Sequence, residues 1–380
     1  MRLNIYNNKD ISDIPLTGNP QITYFKSVYR RHTHFIVDRH KQECKAGNIA
    51  NQILHLGQLI KSIDLEINIT GNGTDISSTH NIGTKLIKNI KLQNNGTVIE
   101  ELKGEYIEMY MELKNPRGLK TFSIADSDSK LQCKQGTMEQ ILSLSGGVFA
   151  TVNATKADIV LPIPFSFCRD IGHALPIFLL GNNNLQVYLE TKSGVVSTTP
   201  EFHLIINYIY LSENEEMRFK ISNNEYLHEF IKEHIITFEA NVPQNLNSVG
   251  NIKSIIWEID PTTNPKYNIR INNGYKLFNQ DKSYHYFTRK TISDAGFPGG
   301  GCSKNGSINV IHDDKIAFYS FALKDYDKQD PLAPTGSISS NSNNIDIISS
   351  VSDATSTKVY TKSYNIISIS NNKLKLEYQH

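Results

Sequence analysis

Residues 63–69 alternate strictly: Ile63, Leu65, Ile67 and Ile69 are apolar, and Asp64, Glu66 and Asn68 between them are polar. A period of two sends the two sets to opposite faces of a half-buried strand. Apolar stretches of strand length recur at 53–59, 86–92, 158–163, 185–189 and 202–211, with turn-forming residues between them. Asn94-Asn95-Gly96 predicts a hairpin turn, because Asn and Gly tolerate positive φ. One segment has helical spacing instead. Over 104–113, Tyr106, Ile107, Tyr110 and Leu113 share a face, and Asn115-Pro116 ends the run. Ser212 is placed to cap a second short helix, with Glu213, Glu215 and Glu216 in its first turn, where the helix dipole favours them. Tyr226, Leu227, Phe230 and Ile231 then offer an apolar face.

The strand-and-turn grammar resumes beyond that point. Residues 251–259, with the single tryptophan Trp257, read as a strand, and 269–278 as another around a turn at Asn272-Asn273-Gly274. Residues 364–369 and 374–378 supply the last strands. The stretch 114–156 is polar and rich in Ser and Gly, which predicts an elaborated loop. A chain of 380 residues exceeds one ordinary β-sandwich and suits two domains, with the division between 212 and 233.

Charge narrows the function classes. With 39 basic and 38 acidic side chains the net charge is +1, without the basic excess of a dedicated nucleic-acid binder. The hydrophobic share of 39% argues against a disordered chain. Cys44, Cys133, Cys168 and Cys302 are scattered, show no zinc-ligand spacing and read as reduced, mostly buried thiols. Residues 1–13 are polar, unlike a secretory leader, and no apolar run reaches the ~20 residues that span a bilayer.

Candidate catalytic chemistry is thin. His312-Asp313-Asp314 has metal-ligating side chains but no second cluster beside it, so a solvated turn is the simpler reading. No GxSxG elbow places a nucleophile, and Gly299-Gly300-Gly301 lacks the rest of a phosphate loop. The pairs Glu100-Glu101 and Glu215-Glu216 are adjacent, so they point apart and cannot flank one substrate. The expectation is no catalytic residue, no metal and no cofactor. Five glycosylation sequons, at Asn68, Asn72, Asn95, Asn153 and Asn305, are weak candidates in so Asn-rich a chain.

The segment 16–35 reads LTGNPQITYFKSVYRRHTHF. Gly18-Asn19-Pro20 is turn chemistry, followed by aromatic Tyr24, Phe25 and Tyr29 and then by Arg30, Arg31, His32 and His34. This run resembles the N-terminal signature of the major capsid proteins of nucleocytoplasmic large DNA viruses, the large icosahedral double-stranded DNA viruses of eukaryotes. Three further segments are similar to that family. Residues 161–176, LPIPFSFCRDIGHALP, match a stretch late in its first domain through Leu161, Pro162, Pro164, Phe165, Cys168, Arg169 and Pro176. His173 stands where the family more often has an apolar residue. The strand of Trp257 matches one early in the second domain, and Tyr319, Ser320, Phe321, Ala322 and Leu323 match a YSFAL hallmark. Residues 324–335 are longer than the family pattern.

The resemblance implies an all-β fold of two consecutive eight-stranded jelly-roll barrels with short helices and long surface loops. It divides the chain into an N-terminal arm (1–22), a first barrel (23–212), a linker helix region (213–232) and a second barrel (233–380). It also implies a homotrimeric, pseudo-hexagonal capsomer in the virion capsid, assembled in the host cytoplasm. The arm residues Gly18, Asn19, Pro20, Gln21, Phe25, Tyr29, Arg30 and Arg31 would dock on the inner side, on minor capsid proteins or the inner viral membrane surface. Neighbouring capsomers are the other expected partners. The loops 114–156 and parts of 279–305 would face outward and could meet host glycans, and no direct nucleic-acid contact is expected. Two alternatives stay open: a minor capsid paralogue or assembly scaffold of the same fold, and a jelly-roll carbohydrate-binding protein.

Overall fold

A computed structural model describes residues 31–70, 82–114, 156–181, 185–222, 224–248, 250–259, 265–281, 316–323, 334–353, 356–370 and 372–377, with 25, 133–135, 148–149 and 284–285 besides. The first barrel comprises β1 (Phe35–Cys44), β2 (Asn51–Gln52), β3 (Leu59–Thr70), β4 (Ile87–Asn94), β5 (Thr97–Lys103), β6 (Lys156–Pro162), β7 (Leu185–Thr191) and β8 (Glu201–Leu211). These strands form two sheets, in the spatial orders β1-β8-β3-β6 and β2-β7-β4-β5. Three helices belong to the described residues: α1 (Ile82–Leu86), α2 (Gly104–Lys114) and α3 (Glu213–Ile221).

The second barrel comprises β9 (Asn224–Ile236), β10 (Gln244–Asn245), β11 (Asn251–Glu258), β12 (Tyr267–Ile271), β13 (Gly274–Gln280), β14 (Ile316–Ser320), β15 (Ile345–Ser349) and β16 (Thr357–Ser370). Its sheets run β9-β16-β11-β14 and β10-β15-β12-β13, so the order of the first barrel recurs strand for strand. Among the described residues the strand ladders are antiparallel, from Phe35↔Leu211 to Cys44↔Phe202 in one barrel and from Asn224↔Ile369 to Ile236↔Thr357 in the other. This is a double jelly roll, the architecture expected from the resemblance.

The local signals act as physics requires. In β3, Ile63, Leu65, Ile67 and Ile69 are buried, while Ser62, Asp64, Glu66 and Asn68 are only half-covered. Asn95 (φ 50°) and Gly96 (φ 80°) turn β4 into β5, and Asn272 (φ 47°) and Asn273 (φ 68°) turn β12 into β13. Two successive positive φ angles match the twist of a tight hairpin. Gly104 starts α2 where a Cβ would lie 2.2 Å from the Ile87 carbonyl oxygen, so only glycine fits.

Some sequence expectations need correction. Residues 53–59 are not one strand: the chain leaves β2 in one sheet at Gln52 and enters β3 in the other at Leu59, with Leu54 and Leu56 exposed between. Gly57 presses so close to β8 that a Cβ would come within 2.9 Å of the Tyr208 Cβ. The 86–92 strand starts only at Ile87, because α1 takes Leu86. The candidate strand 269–278 is a hairpin of two. α3 forms as expected, but the Ser212 side chain makes no capping bond; its carbonyl oxygen accepts from the Glu215 and Glu216 amides instead. Tyr226, Leu227, Phe230 and Ile231 lie on β9.

Among the described residues two large apolar cores stand out, beside a small cluster of Leu59, Ala174 and Ile209. One contains Ile255, Trp257, Tyr267, Leu277, Ile347 and Val359 inside the second barrel. The other fills the first barrel and continues across the seam to Ile256, Phe318, Tyr360 and Ile367 of the second.

Candidate functional site

The segment 161–176 builds the seam between the barrels. Pro162 ends β6, the Ile163 amide donates to the Ile63 carbonyl, and a single tight turn follows at Ser166–Cys168. Pro162 and Pro164 have no amide to carry the ladder on, so the chain crosses the barrel end as a compact plug before Leu175 and Pro176 pair with Ile60 and Leu59. Phe165 and Phe167 stack at 6.0 Å and anchor it in the first core. That anchoring carries Ser166 and Arg169 against β9.

On the other side is Glu229, 8% exposed, on β9. Its carboxylate takes a very short ion pair from Arg169. Lys253 of β11 donates to it at 2.6 Å and Lys362 of β16 at 3.1 Å. Three cations from three separate elements therefore share one carboxylate. The Ser166 amide donates to Glu100 Oε2 of β5 at 2.8 Å, and the Glu229 amide donates to Ser166 Oγ at 2.9 Å. Arg169 also donates to the Pro164 carbonyl and lies 5.1 Å over the Tyr110 ring of α2. Farther along the seam, Glu105 of α2 pairs with Lys192 and, at 3.1 Å, with Lys358 of β16. Tyr106 packs on Tyr360 with ring centroids 5.5 Å apart.

Burial alone would raise the Glu229 carboxyl, but Lys362, Lys253 and Arg169 drive it well below the usual carboxylate range. Glu100 goes the other way. Burial pushes it up to about 8, with Glu229 adding to the rise against Arg169, the Ser166 amide and Lys362. Burial likewise pushes the Cys44 thiol up to about 12, and Cys168 rises for the same reason, so neither is a ready nucleophile. No group of three or more potential metal ligands occurs among the described residues. What this arrangement can do chemically is hold two barrels together.

The structure gathers some expected residues and leaves others apart. Leu161, Pro162, Pro164, Phe165, Cys168, Arg169 and Pro176 all belong to the plug or its approach. Trp257 is fully buried inside the second barrel, edge-on to Tyr267 at 5.3 Å and to His285 at 5.2 Å, away from Arg169 in a separate core. Tyr319 and Phe321 stack edge-on, Ser320 Oγ bonds both the amide and the carbonyl of Ala322, and Leu323 is 81% exposed. Phe25 and Arg31 are exposed, whereas Gly18, Asn19, Pro20, Gln21, Tyr29 and Arg30 lie outside the described residues. So do Asn72, Asn153, Asn305, His312-Asp313-Asp314, Gly299-Gly300-Gly301 and most of the loops 114–156 and 279–305. Asn95 is in an exposed turn, while Asn68 is in mid-ladder on β3.

Sequence reading missed Glu229, Lys253 and Lys362. The signal was a charged residue inside an otherwise apolar strand, as in Ile252-Lys253-Ser254-Ile255, where a half-buried strand would carry its charge to water.

Comparison with known proteins agrees with this architecture. Residues 23–212 match the family model described as major capsid protein N-terminus. The major capsid protein of Pyramimonas orientalis virus is 26% identical, with 94% of each chain covered. That of Paramecium bursaria Chlorella virus 1 is 28% identical over 57% of this chain and 49% of its own length. Among solved structures, the PBCV-1 virus capsid superposes with a TM-score of 0.70 at 18% identity, covering 94% of this chain and all of that one. The Faustovirus major capsid protein gives 0.63 at 11% identity over 95% of this chain and 94% of its own. The chain belongs to the major capsid protein family of large double-stranded DNA viruses, structural and non-enzymatic proteins that form the virion shell.

Proposed function

We propose that the chain works as a homotrimeric, pseudo-hexagonal capsomer. The observation that carries this is the recurrence of one strand order in two barrels joined by a buried seam. Two similar blocks in each of three copies make a near-sixfold tile, and tiles of that shape can pave flat facets. Side-by-side packing also covers strand edges such as β1, whose Phe35, Ile36 and Val37 are exposed. Neighbouring capsomers are then the first partners. The arm bearing Arg30 and Arg31 docks on carboxylates of minor capsid proteins or on the inner viral membrane surface, and assembly takes place in the host cytoplasm. The barrels divide at α3, with the second starting at β9.

Light scattering on a sizing column tests the reading. A species of three times the 42.9 kDa chain mass is expected. A monomer that persists at high concentration and in the presence of the other virion proteins would overturn it.

A further inference from the structure

The seam has a feature that simple adhesion does not require. An apolar contact such as Tyr106 on Tyr360 resists separation but tolerates sliding. A carboxylate shared by Arg169, Lys253 and Lys362 does not, because each bond has its own direction. Behind it stands a second carboxyl, Glu100, 2% exposed, with Oε2 on the Ser166 amide and Oε1 without a hydrogen-bond partner among the described residues. Ser166 links the two acids, since its hydroxyl takes the Glu229 amide.

We propose that this cluster is the latch that holds the two barrels at one angle, and that Glu100 is its release element. In the closed seam Glu100 keeps its proton up to about pH 8, against an ordinary value of 4.5. Between those values the closed seam binds a proton that the opened one does not. The contribution of Glu100 to closure is therefore complete below pH 4.5. It weakens by up to about tenfold per pH unit as pH rises and levels off above about 8. Once ionised, Glu100 faces the Glu229 carboxylate, with Arg169 and Lys362 as its attractive neighbours. Tyr106 from α2 and Cys168 from the plug also face it; burial raises both, so they stay neutral. Glu229 keeps its charge far into acid, so the ionic part of the latch survives where the Glu100 part is strongest. The latch is thus tightest in mild acid and loosens toward alkaline solution. It acts within one chain, independently of how many copies assemble.

Hydrogen exchange on the full chain tests this through the Ser166 and Glu229 amides, corrected for intrinsic rate and compared between pH 5 and 8. The wild type should lose protection by up to about a thousandfold. Glu100→Gln, which keeps the shape and cannot ionise, should show a flat profile and exceed the wild type at pH 8. An unchanged profile in Glu100→Gln would remove Glu100 from the role. Glu229→Gln should lose seam protection at every pH while strands inside each barrel stay protected. Full seam protection in that variant would overturn the latch itself, and if it fails to fold, the Glu100→Gln profile still decides.

Discussion

The sheets β1-β8-β3-β6 and β9-β16-β11-β14 have the same strand order and opposite surroundings. In the first, the outer face carries Ser62, Asp64, Glu66, His203 and Asn207, all partly in contact with water. Asn207 donates to Ser62 at 2.8 Å and to Asp64 at 3.2 Å, and Lys41 pairs with Glu66 at 2.5 Å. In the second, β11 is buried on both faces from Ile252 to Trp257. Ile255 and Trp257 point into their own barrel, whereas Ile256 joins Phe318 and Tyr360 in the core shared with the first barrel. Topology, then, does not decide which face of a sheet is wet. In β11 the loss of alternation over a full strand's length accompanies the interface between the barrels.

The largest test of this contrast is Glu229→Ala. It leaves Arg169, Lys253 and Lys362 without their shared carboxylate in a site water barely reaches. Chemical denaturation should show a loss of about 3–5 kcal/mol, the scale for removing one partner of a buried ion pair. Ile256→Ala comes next, at about 2–5 kcal/mol, the same scale as Ile67→Ala in the first barrel's inner face. If Ile256→Ala fell within about 0.5 kcal/mol, the scale of an ordinary surface substitution, the second sheet's outer face would be open and the contrast lost.

A pH experiment sharpens the picture on the face of β9 turned away from the seam. His234 on β9 is driven down to about 4 by burial, with Lys232 assisting, and its Nε2 lies 3.0 Å from Thr361 Oγ1. The folded state therefore holds a neutral ring where the unfolded chain, at 6.5, takes a proton. Its stabilising contribution is present above pH 6.5 and is lost as pH falls toward 4. His234→Gln should flatten that acid limb of the thermal midpoint and leave the alkaline limb unchanged. Because the Glu100 effect has the opposite sign, the two residues separate cleanly in single variants.

How much of this was legible beforehand follows from the same physics. β3 was readable because its pattern depends only on neighbours two residues away, and the Asn95-Gly96 turn because it depends on the chain itself. The plug at 161–176 was recognised through resemblance, but not its partner. Nothing local in His228-Glu229-Phe230 says that a lysine 24 residues on and another beyond 360 converge there. The 53–59 stretch was misread because its apolar residues suit a strand. What breaks the strand is the crossing from the sheet of β2 to the sheet of β3, a tertiary feature that the apolar count does not display. Convergence of charges from β9, β11 and β16 is a property of the closed barrel, and only the fold displays it.

The smallest expected effect belongs to the first barrel's outer face, and it is the one that tests the contrast in the assembled protein. Lys41 is 48% exposed at its side chain and Glu66 18%. Water can take over from the lysine, so Lys41→Ala in the isolated chain should cost about 0.2–1 kcal/mol, the range for exposed pairs, and less still in high salt. His203 Nδ1 lies 4.0 Å from the same Glu66 oxygen. The substitution becomes informative when repeated in the assembled capsomer. If neighbouring barrels cover this sheet, Glu66 loses water as well as its partner, and the cost must rise toward that of Glu229→Ala and become insensitive to salt. If the face stays wet in the shell, the small, salt-screened value persists, and the two sheets differ in the virion as they do in the single chain.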